Sequence, residues 1–108
     1  MIQIFFDLDG TLIDCSKRNY FVYNNVVEKL RGIPLSFASY WELKRDRIDT
    51  SNILIKSDLA QRFHQRYSSE FIKLIESPKA LKLDKCFSYT ITILKELRRH
   101  NFDLYLVR

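Results

Sequence analysis

The sequence predicts an α/β chain in which two parallel strands are joined through a helical insert. Three observations carry this prediction. An apolar run, Ile2 to Phe6, leads straight into two aspartates spaced two apart, Asp7 and Asp9. A second apolar run, Leu104-Tyr105-Leu106-Val107, follows a segment with the apolar period of a helix. Between the two runs lie far more residues than a direct parallel crossover needs, since one helix suffices for that.

Residues 2–7 are the first predicted strand, and apolar residues on both of its faces indicate burial in a parallel sheet. Ser16 is placed to cap a helix over 17–31, where Tyr20, Tyr23, Val27 and Leu30 recur at three-four spacing. The polar side of that helix is expected to carry Lys17, Arg18, Asn24, Asn25, Glu28 and Lys29. Gly32 suits the position just past its end, and Pro34 forbids an immediate restart. Ser39 and Glu42 have capping-box spacing, which favours a helix from near Tyr40 to Arg47; a start nearer Ser36 is the alternative. Thr50-Ser51-Asn52 reads as a turn.

Ser57-Asp58 opens a third predicted helix that runs to Ile75, with Leu59, Phe63, Tyr67, Phe71 and Leu74 as its apolar stripe. Ser77-Pro78 ends it, because the residue before proline is pushed out of the helical region. Cys86 to His100 reads as a fourth helix whose wide apolar band suits packing on a sheet. Asn101 takes the left-handed position after it. The second strand is Leu104 to Val107. Residues 1–14 and 84–108 then form a partial α/β core, and 15–83 form the helical insert.

Composition narrows the function classes. A chain of 108 residues makes one domain or part of one, and 46% hydrophobic residues excludes a disordered chain. No apolar run approaches the roughly 20 residues of a membrane span. The short N-terminal run ends in acids and does not read as a signal peptide, so the cytoplasm is the expected location. The net charge is +5, but Lys and Arg are interspersed with acids. That pattern disfavours a nucleic-acid partner and suits a small anionic substrate. It says nothing of oligomeric state. Cys15 and Cys86 make neither a disulfide framework nor a metal signature. Arg45, Arg47 and Lys56 read as a solvated face, His64 has no ligand partner at helical spacing, and Trp41 and the tyrosines read as packing.

The chemistry concentrates at Asp7 and Asp9. Two carboxylates are costly inside a core. At the C-terminal edge of a parallel sheet, where open α/β folds place ligands, they have a use. Gly10 lets the backbone turn away at once. Side chains two apart on an extended segment point the same way, which aims both acids at one substrate. Backbone N–H groups from Leu8 to Thr11 are expected to form a concave nest for phosphate oxygens. The competing local reading is that the acids merely cap the turn.

The segment Phe6-Asp7-Leu8-Asp9-Gly10-Thr11-Leu12-Ile13 resembles motif I of the haloacid dehalogenase-like (HAD) hydrolases, including its place after a short N-terminal apolar strand. On the order of one chain in a thousand of this length carries the four fixed positions by chance. The resemblance implies an incomplete HAD-like Rossmannoid core with a helical cap of the first-position type. It implies Asp7 as nucleophile, forming an aspartyl-phosphate, and Asp9 as the acid that protonates the leaving group and then activates water. It implies Mg2+ held at Asp7 and Asp9, by the carboxylate of the first and the backbone carbonyl of the second, and phosphate held at Leu8, Gly10 and Thr11. An Asp at the position of Asp9 accompanies phosphatases and phosphomutases, so the implied substrate is a small phosphorylated metabolite.

The resemblance also has gaps. The family's motif II hydroxyl falls at or beyond Arg108, and motifs III and IV have no counterpart. The chain is therefore expected to be the N-terminal portion of a longer phosphatase, inactive alone. The alternatives are a catalytically dead remnant or interaction module, and a phosphomutase of the β-phosphoglucomutase-like branch.

Overall fold

Aromatic and β-branched residues favour extended backbone on a pleated surface, and the first strand forms where they gather. A computed structural model describes residues 2–107. Its elements are β1 (Gln3–Asp7), β2 (Ile13–Asp14), α1 (Ser16–Lys29), α2 (Phe37–Arg45), α3 (Thr50–Lys56), a 3-10 turn (Gln61–Phe63), α4 (His64–Ile75), α5 (Pro78–Leu81), β3 (Lys85–Cys86), α6 (Thr90–Arg99) and β4 (Asp103–Val107). The chain divides into two compact units: one runs to Ser16 and resumes at Leu83, and the other is Lys17–Lys82.

In the first unit β1 and β4 pair in parallel, in the register Gln3 with Asp103 through Asp7 with Val107. This is an α/β arrangement with a two-stranded parallel sheet, as the sequence predicts. A second ribbon pairs Ile13 with Cys86 and Asp14 with Lys85, antiparallel. The predicted fourth helix is thus corrected at its start: residues 85–86 are strand, and α6 begins at Thr90. Cys86 and Phe87 are drawn out of the helix by pairing with the segment after the acids, where the Phe87 N–H donates to the Leu12 carbonyl at 3.3 Å. Asn101 does take the left-handed conformation, with φ 63°.

The expectation that β1 is buried on both faces is also corrected. Phe5 is 63% exposed and Leu106 63%. Among the described residues each of the two strands has one pairing neighbour and one open edge, so their side chains lack the lateral neighbours that a wider sheet supplies. Phe5 and Tyr105, directly opposite in the register, stack with ring centroids 5.1 Å apart. Such a cross-strand aromatic pair adds about 0.5–1 kcal/mol to the pairing.

The helical unit holds the main core. Val22, Tyr23, Val26, Val27 and Leu30 of α1 pack with Tyr40, Ile53, Leu54, Leu59, Tyr67 and Ala80. The three-four spacing of α1 therefore faces inward as its pattern demands. Each buried aliphatic side chain contributes roughly 1.5–3 kcal/mol. Tyr23 stacks on Tyr40 with centroids 4.2 Å apart.

Several boundaries in this unit differ from those predicted. Ser16 is the first helical residue rather than the cap. The Asp14 carboxylate accepts from its N–H at 3.0 Å and its hydroxyl at 2.7 Å. Arg18 is buried rather than on the polar side, with its guanidinium donating to the Ile75 carbonyl at 3.5 Å and facing Glu76 at 4.0 Å. The helix start near Ser36 is the one formed: the Ser36 hydroxyl accepts from the Ser39 N–H. Thr50-Ser51-Asn52 is not a turn but the first part of α3, because the Asp49 carboxylate caps it through the Asn52 N–H at 3.0 Å.

Ser57 closes α3 instead of opening the next helix, and Asp58 turns left-handed with φ 56°. The predicted long helix is thereby cut to His64–Ile75. Pro78, predicted only as a stop, also begins the one-turn α5 with Ser77 as its cap. Past α1 the left-handed residue is Arg31, with φ 67°, not Gly32. Gly32 is required for another reason: a Cβ there would lie 2.7 Å from Val27 Cγ1 and 2.9 Å from the Ser57 carbonyl oxygen. No helix among the described residues is long and apolar enough to cross a membrane.

Candidate functional site

The first unit places its chemistry where β1 stops. Asp7 is the last strand residue and pairs with Val107 at the carboxyl end of the parallel pair. Its side chain is exposed, while Asp9 is half-buried. Leu8 lies in a turn between them, and Asp9 forms a single bridge with Ile13. Gly10 has φ 81°. That is a left-handed conformation in which a Cβ brings strain, so the glycine read from sequence as a sharp turn serves as one.

Hydrogen bonds hold the loop in a tight fold. The Gly10 N–H donates to the Ile13 carbonyl at 2.9 Å, and the N–H groups of Leu12 and Ile13 both donate to the Leu8 carbonyl at 3.1 Å. The Leu8 N–H itself donates to the Val107 carbonyl at 3.0 Å. The expected nest of free donors from Leu8 to Thr11 is thus corrected at two positions. The Leu8 and Gly10 N–H groups are already engaged by the ladder and the turn. The Thr11 N–H makes no hydrogen bond among the described residues.

Three residues that sequence reasoning left out of the site shape this loop. The buried Thr90 hydroxyl donates to the Leu12 carbonyl at 2.7 Å, and the Tyr89 hydroxyl donates to the Thr11 carbonyl at 2.9 Å. Asp14 fixes the far end through Ser16. Thr90 had one visible signal, a hydroxyl on an otherwise apolar helical face. Asp14 had another, an aspartate two residues before a helix-forming serine, whereas Tyr89 had none because its partner lies 78 residues away. Arg108, read as the possible stand-in for a motif II hydroxyl, lies outside the described residues.

The donor set can be tested against a divalent cation. The Asp7 carboxylate and the Asp9 backbone carbonyl are hard oxygen donors at the carboxyl end of the strand pair, which is the right chemistry for magnesium. No cluster of three or more His, Cys, Asp or Glu side chains suited to a metal occurs among the described residues. One carboxylate and a carbonyl still match the way magnesium is usually bound, by one or two protein carboxylates completed by water and substrate phosphate.

No family model matches the chain, and no curated protein sequence matches it. Among solved structures, the crystal structure of a hydrolase from Pseudomonas syringae is similar, with a TM-score of 0.55 and 19% sequence identity. The match covers 98% of this chain and 46% of that one, so this chain spans less than half of the hydrolase's length. The likeness establishes a shared α/β, Rossmann-like fold.

Proposed function

We propose that this chain is the first part of a magnesium-dependent phosphatase of the HAD type, acting in the cytoplasm on a small phosphorylated metabolite. The observation that supports it most is Asp7 at the carboxyl end of a parallel strand pair, followed by Asp9 and the left-handed turn at Gly10. Open α/β sheets bind ligands at that edge. The likeness in fold to a hydrolase is consistent with this reading.

In the proposed reaction an Asp7 carboxylate oxygen attacks the phosphorus of the ester, and the bond from phosphorus to the leaving oxygen breaks. The Asp9 carboxyl gives its proton to that oxygen, releasing the alcohol and leaving an aspartyl-phosphate. Asp9, now a carboxylate, takes a proton from water as the water attacks the phosphorus. The acyl-phosphate bond breaks, and Asp7 and inorganic phosphate are restored. The Asp7 carboxylate and the Asp9 backbone carbonyl would hold magnesium, which would supply positive charge against the phosphoryl oxygens. The Thr11 N–H is available to the same oxygens.

The test is trapping with beryllofluoride and magnesium, followed by fluorine NMR. The expected result is a bound resonance that Asp7→Asn abolishes. No bound resonance, or one that survives Asp7→Asn, overturns the reading. Trapping at saturating magnesium does not require turnover; hydrolysis of p-nitrophenyl phosphate by this chain is expected to be no faster than in Asp7→Asn, because the family's later motifs have no counterpart here.

A further inference from the structure

The helical unit contains a cavity of about 270 Å³, bordered by α2, α3 and α4, with Asn19 of α1 also on its wall. Its walls include Tyr40, Tyr67, Ile53 and Phe71, with Lys44 and Ile72 at exposed positions. Tyr40 and Tyr67 are only 3% and 4% exposed. Neither hydroxyl has a hydrogen-bond partner among the described residues, although no fully enclosed side-chain nitrogen or oxygen lacks one. Both hydroxyls therefore reach open space, and the space their rings line is this cavity. Their neighbours differ: the Tyr23 hydroxyl is satisfied by Leu35 and Ser57, and that of Tyr20 by Leu35.

A buried hydroxyl held open to a cavity is costly unless something bonds to it. Two such hydroxyls in one small cavity form a pair of donors. Burial pushes both phenols well above their ordinary titration range, with the neighbouring tyrosines adding to the shift, so both keep their protons at neutral pH. Lys44 adds a cation that forms no ion pair among the described residues. The walls carry no acid. The cavity is thus rich in donors, positive at one side and apolar at Ile53 and Phe71.

We propose that this cavity binds a small organic anion, with the Tyr40 and Tyr67 hydroxyls and the Lys44 ammonium holding a carboxylate or phosphate and Ile53 and Phe71 packing on its apolar body. Every residue named lies in the helical unit, so the proposal does not depend on the roles given to Asp7 and Asp9.

The experiment titrates the isotope-labelled chain with benzoate, phenyl phosphate and neutral benzyl alcohol, read by amide chemical shifts and calorimetry. One or both anions are expected to saturate shifts at Tyr40, Lys44, Tyr67 and Phe71, ahead of the alcohol. The tighter of the two assigns the anionic group. Tyr67→Phe and Tyr40→Phe are expected to weaken the anion by about tenfold or more. Thermal stability is expected to hold, because each ring remains and each hydroxyl has no partner in the chain to lose. Lys44→Gln is expected to bring the anion down to the affinity of the alcohol. Absence of saturable shifts at these residues with both anions overturns the proposal. So does binding that is unchanged in the Tyr40→Phe, Tyr67→Phe double variant while the fold is intact.

Discussion

The Leu8 N–H and the Val107 carbonyl are joined at 3.0 Å, one residue beyond the last pair of the parallel ladder. The bond carries strand pairing into the turn between the two acids. The strand position of Asp7 and the bonded residue that follows it are therefore both tied to β4, and beyond them the loop is held by its own turn hydrogen bonds. A carboxylate placed this way reaches out from a fixed backbone, which is what a nucleophile needs if its attack geometry is to be set before substrate arrives.

Amide exchange reads this directly. Leu8 and Gly10 are expected to exchange at least about tenfold more slowly than Thr11, because their N–H groups are bonded and that of Thr11 is not. Residue-resolved exchange by NMR measures it. Equal rates at the three positions would show that the ladder stops at Asp7 and the loop is open.

The two glycines are needed for different reasons, and two substitutions at each separate them. Gly32→Ala drives a methyl into Val27 Cγ1 and the Ser57 carbonyl. Its expected cost is about 1–3 kcal/mol, and a larger side chain costs more. Gly10 has nothing within 4 Å of a Cβ but sits at φ 81°. Alanine there costs about 1–2 kcal/mol through backbone strain, and asparagine, which tolerates left-handed geometry, costs less. Denaturant titration of the four variants is expected to rank Asn as milder than Ala at Gly10 and harsher than Ala at Gly32. The same ranking at both sites would contradict this division.

Alkaline pH acts on the helical unit through its tyrosines. A phenol titrates at 10.0 when unperturbed, and burial raises Tyr40 and Tyr67 above that in the folded state. The folded chain therefore holds protons that the unfolded chain has released. The resulting stability is complete below about pH 10 and declines as pH rises through the folded-state values. The expected slope is about 1.4 kcal/mol per pH unit for each tyrosine. Urea midpoints measured from about pH 9 to 11 are expected to fall less in the Tyr40→Phe, Tyr67→Phe variant than in the parent. Parallel curves for the two proteins would remove the tyrosines as the cause.

Local chemistry was legible in the sequence wherever a residue's own conformation decided the outcome. Asn101 was assigned its left-handed turn, the two strands were found within a residue of their ends, and Gly10 was recognised as a bend. The apolar spacing of α1 named its inward face. Misreadings fell where a particular partner decided instead, a near one for Thr50-Ser51-Asn52 and distant ones for Cys86 and Arg18. Thr50-Ser51-Asn52 looked like a turn until Asp49 capped it. Cys86 looked helical until it paired with Ile13. Arg18 looked solvated until the end of α4 supplied a carbonyl.

What the sequence by itself determined is the α/β class and the acids at the end of its first strand, because continuous apolar runs, helical apolar spacing and the point where charge begins are properties of neighbouring residues. Only the tertiary structure decided which N–H groups around those acids are already bonded, why Gly32 must lack a side chain, and that two buried tyrosines keep their hydroxyls open to a cavity. Those outcomes turn on distances between particular atoms, many in residues tens of positions apart such as Leu8 and Val107 or Gly32 and Ser57, and such distances exist only once the chain has folded.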